Sequence, residues 1–295
     1  MRYSTPLRYP GGKGKLTDFV KLLIKKNDLL DGHYVEPFAG GAGVALSLLF
    51  QEYVLHIHIN DINKAIYSFW HSVFHETEGL CRHIADTPVT MDEWKRQRAI
   101  QANSDKASML ELGFSTFFLN RTNRSGIITG GVIGGQGQNG QWKIDARYNK
   151  QALITRIQKV AYYRSRISIY NLDASDFLLN TVPLLPDNTL IYLDPPYYVK
   201  GKDLYEDHYT HKDHEVLATI VAGEIKQRWI VSYDLVPQIT QMYSQFRQID
   251  YQLSYSAADR YKGSELMVFD NYLHIPEISN PARMHPCERL AQKMV

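Results

Sequence analysis

Leu190-Ile191-Tyr192-Leu193-Asp194-Pro195-Pro196-Tyr197 decides how the rest of the chain is read. Four apolar or aromatic residues in a row predict a strand buried on both faces, and Asp194 stands where that strand ends. Two prolines then remove two backbone donors and stiffen the loop. What is left is an acceptor-only corner: the Asp194 carboxylate, the Pro195 carbonyl and the aromatic face of Tyr197. An exocyclic amino group with two N–H donors on a planar ring would satisfy such a corner, as in adenine or cytosine drawn out of a nucleic-acid stack. A plain structural turn is the competing reading, and the position at a strand end argues against it.

Outward from this corner, strand and helix patterns alternate. His33–Phe38 is a short run ending at proline and then glycines, a strand leading into a tight loop, and Val54–Asn60 alternates like a strand. Ile167–Asn171, Thr189–Asp194 and Trp229–Ser232 are further strands, and Gln248–Ser256 with Glu265–Asn271 form a terminal antiparallel pair. Helical periodicity marks Gly14–Asn27, Val44–Glu52, Asn149–Arg164 and His214–Gln227. Between Lys64 and about Asn120 lie several helices, with turns near Thr87-Pro88 and Asn103-Ser104. This order predicts an α/β fold, a doubly wound sheet formed by residues 1–71 and 152–295, interrupted by a mostly helical insert at 72–151. Ligands of such sheets sit beyond the carboxyl ends of the strands, where the motifs fall.

Val35-Glu36-Pro37-Phe38-Ala39-Gly40-Gly41-Ala42-Gly43 is a second strand-to-glycine loop, opening the helix at Val44. It lacks the third glycine of a dinucleotide fingerprint, and Glu36 sits awkwardly with a pyrophosphate. An acid there suits a cofactor carrying an amine and a sulfonium, S-adenosylmethionine. Asp61 ends the next strand and can take both hydroxyls of a ribose or, equally, cap the helix beginning near Asn63. Lys13, in Tyr9-Pro10-Gly11-Gly12-Lys13-Gly14-Lys15, projects from a glycine turn; a phosphate-binding P-loop is excluded because Tyr9 and Leu16 occupy its glycine and hydroxyl positions. Asp176 and Phe177 follow another strand and could hold an adenine's amino edge and pack its ring, or simply cap a surface helix.

Charge is distributed unevenly. The chain of 295 residues carries a net +2, from 33 basic and 31 acidic residues. Between Gly113 and Arg166 nine basic residues face Asp145 alone, so that stretch holds +8 and the remainder −6. Local charge of this sign and density suits a polyanion, since each neutralised phosphate releases counterions. Seven of the 19 glycines crowd into Gly126–Gly140 in the same stretch, which predicts a mobile loop that orders on a partner.

Composition excludes other classes. Hydrophobic residues make up 44% and charged residues 22%, so the chain is globular rather than disordered. Cys81 and Cys287 build no disulfide framework or thiolate zinc site, which fits a reducing cytoplasm. No signal peptide opens the sequence, and no apolar run reaches the roughly 18–20 residues that span a bilayer. The 11 histidines lack metal-ligand spacing, and no metal is expected.

Taken together the residues resemble the Dam-type family of DNA adenine-N6 methyltransferases. The order agrees over residues 6–272: Tyr9-Pro10-Gly11-Gly12-Lys13, Glu36-Pro37-Phe38-Ala39-Gly40-Gly41, Asp61-Ile62-Asn63, Phe117-Phe118-Leu119-Asn120-Arg121, Asp176-Phe177, Asp194-Pro195-Pro196-Tyr197, Ser232-Tyr233-Asp234, and Arg260 through Glu265-Leu266. The resemblance implies a Rossmann-like methyltransferase core, S-adenosylmethionine as methyl donor, and an inserted target-recognition domain that reads double-stranded DNA. It implies catalysis by Asp194, Pro195, Pro196 and Tyr197, with Tyr197 stacked on the flipped base. Tyr9, Lys13, Glu36, Pro37, Phe38, Ala39, Gly40, Gly41, Asp61, Ile62, Asp176, Phe177 and Asp194 are the expected cofactor contacts. Asn120, Arg121, Arg124, Lys143 and Arg147 are the expected DNA contacts. The family's second loop glycine falls at Ala42, and the 126–140 insert differs from that of enzymes methylating GATC, so no recognition sequence is implied. Methylation of RNA or of a protein amide is the rival chemistry, though such enzymes usually present Asn at the position of Asp194. A DNA-binding regulator on a retained methyltransferase fold is the rival of another class. A cognate restriction nuclease is compatible as partner; the residues decide neither that nor the oligomeric state.

Overall fold

A computed structural model describes residues 4–8, 13–199, 209–254, 262–278 and 280–283. Its strands are β1 (Gly32–Glu36), β2 (Val54–Asn60), β3 (Ile167–Tyr170), β4 (Thr189–Leu193), β5 (Arg228–Asp234), β6 (Arg247–Ser254) and β7 (Lys262–Phe269). The chain divides into two compact units, one of residues 13–62 and 172 onward, the other of Asn63–Asn171 with the first residues of the chain.

In the larger unit the strands lie in the order β2-β1-β4-β5-β7-β6. The first four run parallel, β1 pairing Val35 with Ile191 of β4, and β4 pairing Ile191 with Trp229 of β5. β7 runs antiparallel between β5 and β6. Parallel strands bury both faces, which is why the three central strands are rich in apolar residues: Tyr34 and Val35 of β1, Leu190, Ile191 and Leu193 of β4, and Ile230 and Val231 of β5 are all enclosed. Helix Thr17–Lys26 covers the sheet with Phe19, Val20, Leu23 and Ile24, and Phe19 meets Phe269 of β7 edge-on with ring centres 6.1 Å apart. From β1 the chain winds out to β2, and from β4 it winds the other way to β5. The carboxyl ends of β1 and β4 therefore flank the switch point at which such sheets bind ligands.

Three imidazoles share one region of β1 and β2. His33 Nδ1 and His58 Nε2 are 3.0 Å apart, and the His56 and His58 rings are centred 4.7 Å apart. Burial, with His56 and His33 close by, pushes His58 down to about 3. Unfolded, His58 titrates near 6.5, so the folded chain favours the neutral ring and stability is lost as pH falls below 6.5. At pH 5 the loss from His58 should be about 2 kcal/mol. Denaturant unfolding of wild type and His58→Asn at pH 7 and 5 checks it; equal pH dependence in both would show that the loss lies elsewhere.

The smaller unit is built on helix Met109–Thr122, buried along nearly its whole length. A capping box starts it, Ser108 and Glu111 satisfying each other's backbone donors. Helices Lys64–His75 and Met91–Ala102 pack against it, and Lys150–Tyr162 packs against Thr77–Asp86. Gly113 allows the closest approach: a Cβ there would lie 2.4 Å from Ser72 Oγ. Because these helices share one core, the compact unit reaches beyond residues 72–151 in both directions.

Candidate active site

The loop after β1 is tied to the end of β2. Ala39 N–H donates to the Asn60 carbonyl at 2.9 Å, and Asn60 Nδ2 donates to the Pro37 and Leu172 carbonyls at 3.0 Å each. Gly40 N–H donates to Asp61 Oδ2 at 2.8 Å. Asn63, not Asp61, caps helix Lys64–His75, which separates the two roles open to Asp61. Gly40 has φ 46° and Ala42 φ 47°, so an alanine holds a left-handed turn ordinarily given to glycine, at a cost of roughly 1–2 kcal/mol.

Glu36 is 7% exposed and turns inward, its Oε1 accepting from Ala45 N–H at 3.0 Å in the first turn of helix Gly43–Phe50. Ala42 offers that helix no side-chain cap, so Glu36 serves as one from a distance. Burial pushes its pKa up to about 8, against the pull of the Ala45 and Tyr34 hydrogen bonds. Glu36 thus holds the first turn of helix Gly43–Phe50. The Phe177 side chain is enclosed in the core. Asp176 beside it is exposed, Asp173 caps their helix, Ile62 is 48% exposed and Phe38 is half-buried. Tyr9 lies outside the described residues, as do Pro10, Gly11, Gly12 and Arg260.

At the end of β4, Asp194 keeps 31% of its side-chain surface open, while Lys13 beside it keeps 4%. Lys13 Nζ lies 3.3 Å from Asp194 Oδ1 and 2.8 Å from Glu265 Oε2. It also donates to Tyr197 Oη at 3.2 Å, and that hydroxyl donates to Glu265 Oε1 at 3.1 Å. Ser232 Oγ donates to Asp194 Oδ1 at 2.8 Å and lies 2.9 Å from Tyr192 Oη. Burial works against the Lys13 charge, yet Asp194, Tyr251, Tyr197 and Glu265 hold its pKa well above the usual lysine value. Burial raises Asp194 and Glu265, and Lys13 pulls both back down. One ammonium thus faces two carboxylates, an excess of negative charge that suits a cationic ligand.

The tail of the motif is pinned by a further acid. Asp234, at the end of β5, accepts from Tyr198 N–H at 2.9 Å and Val199 N–H at 3.0 Å. Tyr197 itself is 6% exposed, so its ring is held inside by its hydroxyl rather than presented for stacking. Pro195 is buried and Pro196 half-buried. Ser232, Asp234 and Glu265 enter the sequence only as parts of the motifs that resemble the family's closing strands, with no role given to any of them.

Residues 9–257 match the family described as D12 class N6 adenine-specific DNA methyltransferase. The chain belongs to that family. It methylates adenine N6 in DNA with S-adenosylmethionine as donor, on an α/β fold. No curated protein matches the chain. Among solved structures it is similar to the M. capricolum TrmK in complex with S-adenosyl-homocysteine, at 7% identity and TM-score 0.36, covering 87% of this chain and 71% of that one. It is also similar to the rRNA methyltransferase aviRa from Streptomyces viridochromogenes, at 11% identity and TM-score 0.31, covering 83% and 80%. The donor set fits the sulfonium cofactor of this D12 chain, since the acids at the strand ends outnumber the one lysine among them.

In this D12 methyltransferase the expected DNA contacts divide into two groups. Asn120 is 1% exposed; it accepts from Arg8 N–H at 2.7 Å and donates to the Arg8 and Gly126 carbonyls. Arg121 donates to the Arg147 and Pro6 carbonyls, and burial with Arg8, Arg156 and Arg147 nearby pushes it down to about 9. Asn120 braces the chain from within, both of its amide protons placed on backbone carbonyls, while Arg121 places two of its five N–H donors on backbone carbonyls. Arg124, Lys143 and Arg147 are exposed.

The glycine-rich stretch is folded rather than unstructured. Asn123 and Val132 form an antiparallel bridge, and Asn123 Nδ2 donates to the Ile127 and Ile128 carbonyls at 2.9 and 2.8 Å. Gln138 Nε2 donates to the Ile133 and Gly135 carbonyls at 2.8 Å each, while its Oε1 accepts from Ile144 N–H. The glycines supply the positive φ these turns need, at Gly126, Gly134 and Gly135, and amide side chains supply the missing bonds. Among the described residues, no group of three or more His, Cys, Asp or Glu could hold a metal ion, and no helix is long and apolar enough to cross a membrane.

Proposed function

We propose that Asp194 and the Pro195 carbonyl accept the two N6 protons of an adenine drawn out of duplex DNA, aiming that nitrogen at the methyl of a cofactor seated on loop 37–43. The observation that supports this most is the state of one carboxylate. Ser232 and Lys13 both hold Asp194 Oδ1, which orients the group while nearly a third of its side-chain surface stays open at the switch point.

S-adenosylmethionine, when bound, supplies an electrophilic methyl on a sulfonium. Adenine's amino lone pair is delocalised into the ring and is a poor nucleophile. Two acceptors at one end of the amino group favour a pyramidal nitrogen whose lone pair points away from them, so alignment and electrostatics contribute most of the acceleration. The nitrogen must lose a proton once methylated, and the raised pKa of Asp194 suits it to take that proton. Asp61, Ile62, Phe38 and Asp176 flank the cofactor, and Lys13 holds Asp194 in place. Tyr197 reaches the base only after leaving its bonds to Lys13 and Glu265. The larger unit carries catalysis, and the smaller one meets duplex DNA through Arg124, Lys143 and Arg147, in the cytoplasm.

Labelled methyl groups offered with DNA, RNA and protein side by side test the reading. Label should enter DNA alone and appear as N6-methyladenine after nucleoside digestion. Label entering RNA or protein instead would overturn it.

A further inference from the structure

Of the four tryptophans, Trp70, Trp94 and Trp229 are 2%, 7% and 3% exposed, whereas Trp142 is 62% exposed. The loop that presents it is braced. Gln138 bonds to the Ile133 and Gly135 carbonyls and to Ile144 N–H, Gly140 N–H donates to the Gly134 carbonyl, and Lys143 Nζ donates to the Gln138 carbonyl. Buried Ile144 anchors the far side. The Arg147 guanidinium lies 5.9 Å from the Trp142 ring centre, and Asp145 is the sole acid of the surrounding basic stretch. A large indole held in water by a stiffened loop, with cations at its rim, has the two parts of a single-strand stacking platform: a flat π face and charges that meet the backbone.

We propose that Trp142 is a nucleobase-stacking residue, laying its ring on a base of the DNA substrate while Arg147 and Lys143 meet the adjoining phosphates. The inference rests on the DNA-methyltransferase reading and adds a contact to it. In a duplex both faces of a paired base are covered, so the ring stacks where a base has left the helix, as beside an adenine drawn out of it, and any base can serve. Rigidity matters here, because an indole already fixed in place loses little further freedom when the base arrives.

Fluorescence isolates this residue because the other three indoles are enclosed. In the free protein acrylamide should quench the Trp142 component, and a saturating long mixed-sequence duplex should shield it. Trp142→Ala should weaken duplex binding roughly 5- to 150-fold, with Trp142→Phe recovering most of it, and neither should change S-adenosylmethionine affinity or the melting temperature. Wild-type duplex affinity in Trp142→Ala, or equal acrylamide quenching with and without bound duplex, overturns the proposal while the methyltransferase reading stands. A wild-type protein that binds S-adenosylmethionine yet neither binds nor methylates DNA brings down that reading, and this proposal with it.

Discussion

Asp194→Ala should lower single-turnover methylation by about 10³-fold or more while leaving duplex affinity largely intact. Two effects are removed together: one of the two acceptors that shape the amino nitrogen, and the base that receives its proton. Loss of a single preorganised polar contact at a reacting centre costs roughly 10²–10³ in rate, and a positioned general base contributes roughly 10²–10⁴. Asp194→Asn separates them, because an amide oxygen still accepts a hydrogen bond and cannot take the proton at neutral pH. Asn should therefore fall between wild type and Ala. The neighbours stay in place in both variants, since Ser232 keeps Tyr192 and Lys13 keeps Glu265. Rapid-quench methylation and equilibrium DNA binding measured on the same preparations check the result, and near wild-type turnover in Asp194→Ala would refute the assignment.

Lys13→Met should destabilise the fold by about 3–5 kcal/mol at neutral pH, because it leaves Asp194 and Glu265 together without their cation. The pH dependence gives the cause away. Without Lys13 each carboxyl is raised further by burial and by the other acid, so both prefer to be protonated in the folded chain. A folded pKa above the unfolded one means stability that is present at low pH and drains as pH rises through the folded value. The variant should therefore be closer to wild type at pH 5 than at pH 8. Adding Glu265→Gln removes one of the stranded charges and should return part of the loss. Denaturant unfolding at the two pH values measures all three proteins. A loss below about 1 kcal/mol in Lys13→Met at both pH values would mean that water, not protein, solvates the cluster.

How much of this was legible in the chain depended on how local each signal was. The run from Leu190 to Tyr197 announced a buried strand and a donor-free turn because burial on both faces demands unbroken apolar residues and proline forbids its own donor. The glycines at 40 and 41 marked a tight loop for a similarly local reason, and Ser108 with Glu111 would have marked a helix start. Glu36 was legible as an acid at a strand end, but its partner is a backbone donor nine residues on, in a helix whose own cap position holds Ala42. The family resemblance implied Asn120 and Arg121 as DNA contacts. Arg8 and Pro6, 112 and 115 positions earlier in the chain, are hydrogen-bonded to them. The glycine stretch looked loose because entropy is all that composition reports; Asn123 and Gln138 stitch it together with bonds that no spacing rule contains.

By itself the sequence determined the alternation of strands and helices, the two loops at the strand ends, the basic insert and the acceptor corner at Asp194, each resting on neighbours within about ten residues. Only the tertiary structure decided that Glu265 shares Lys13 with Asp194, that Ser232 orients the same carboxylate, and that Tyr197 is turned inward. Those partners are separated by 252, 38 and 68 positions. Electrostatic forces fall with distance in space, not along the chain, and the sheet that pairs β5 with β7 beside β4 is what converts those separations into hydrogen bonds.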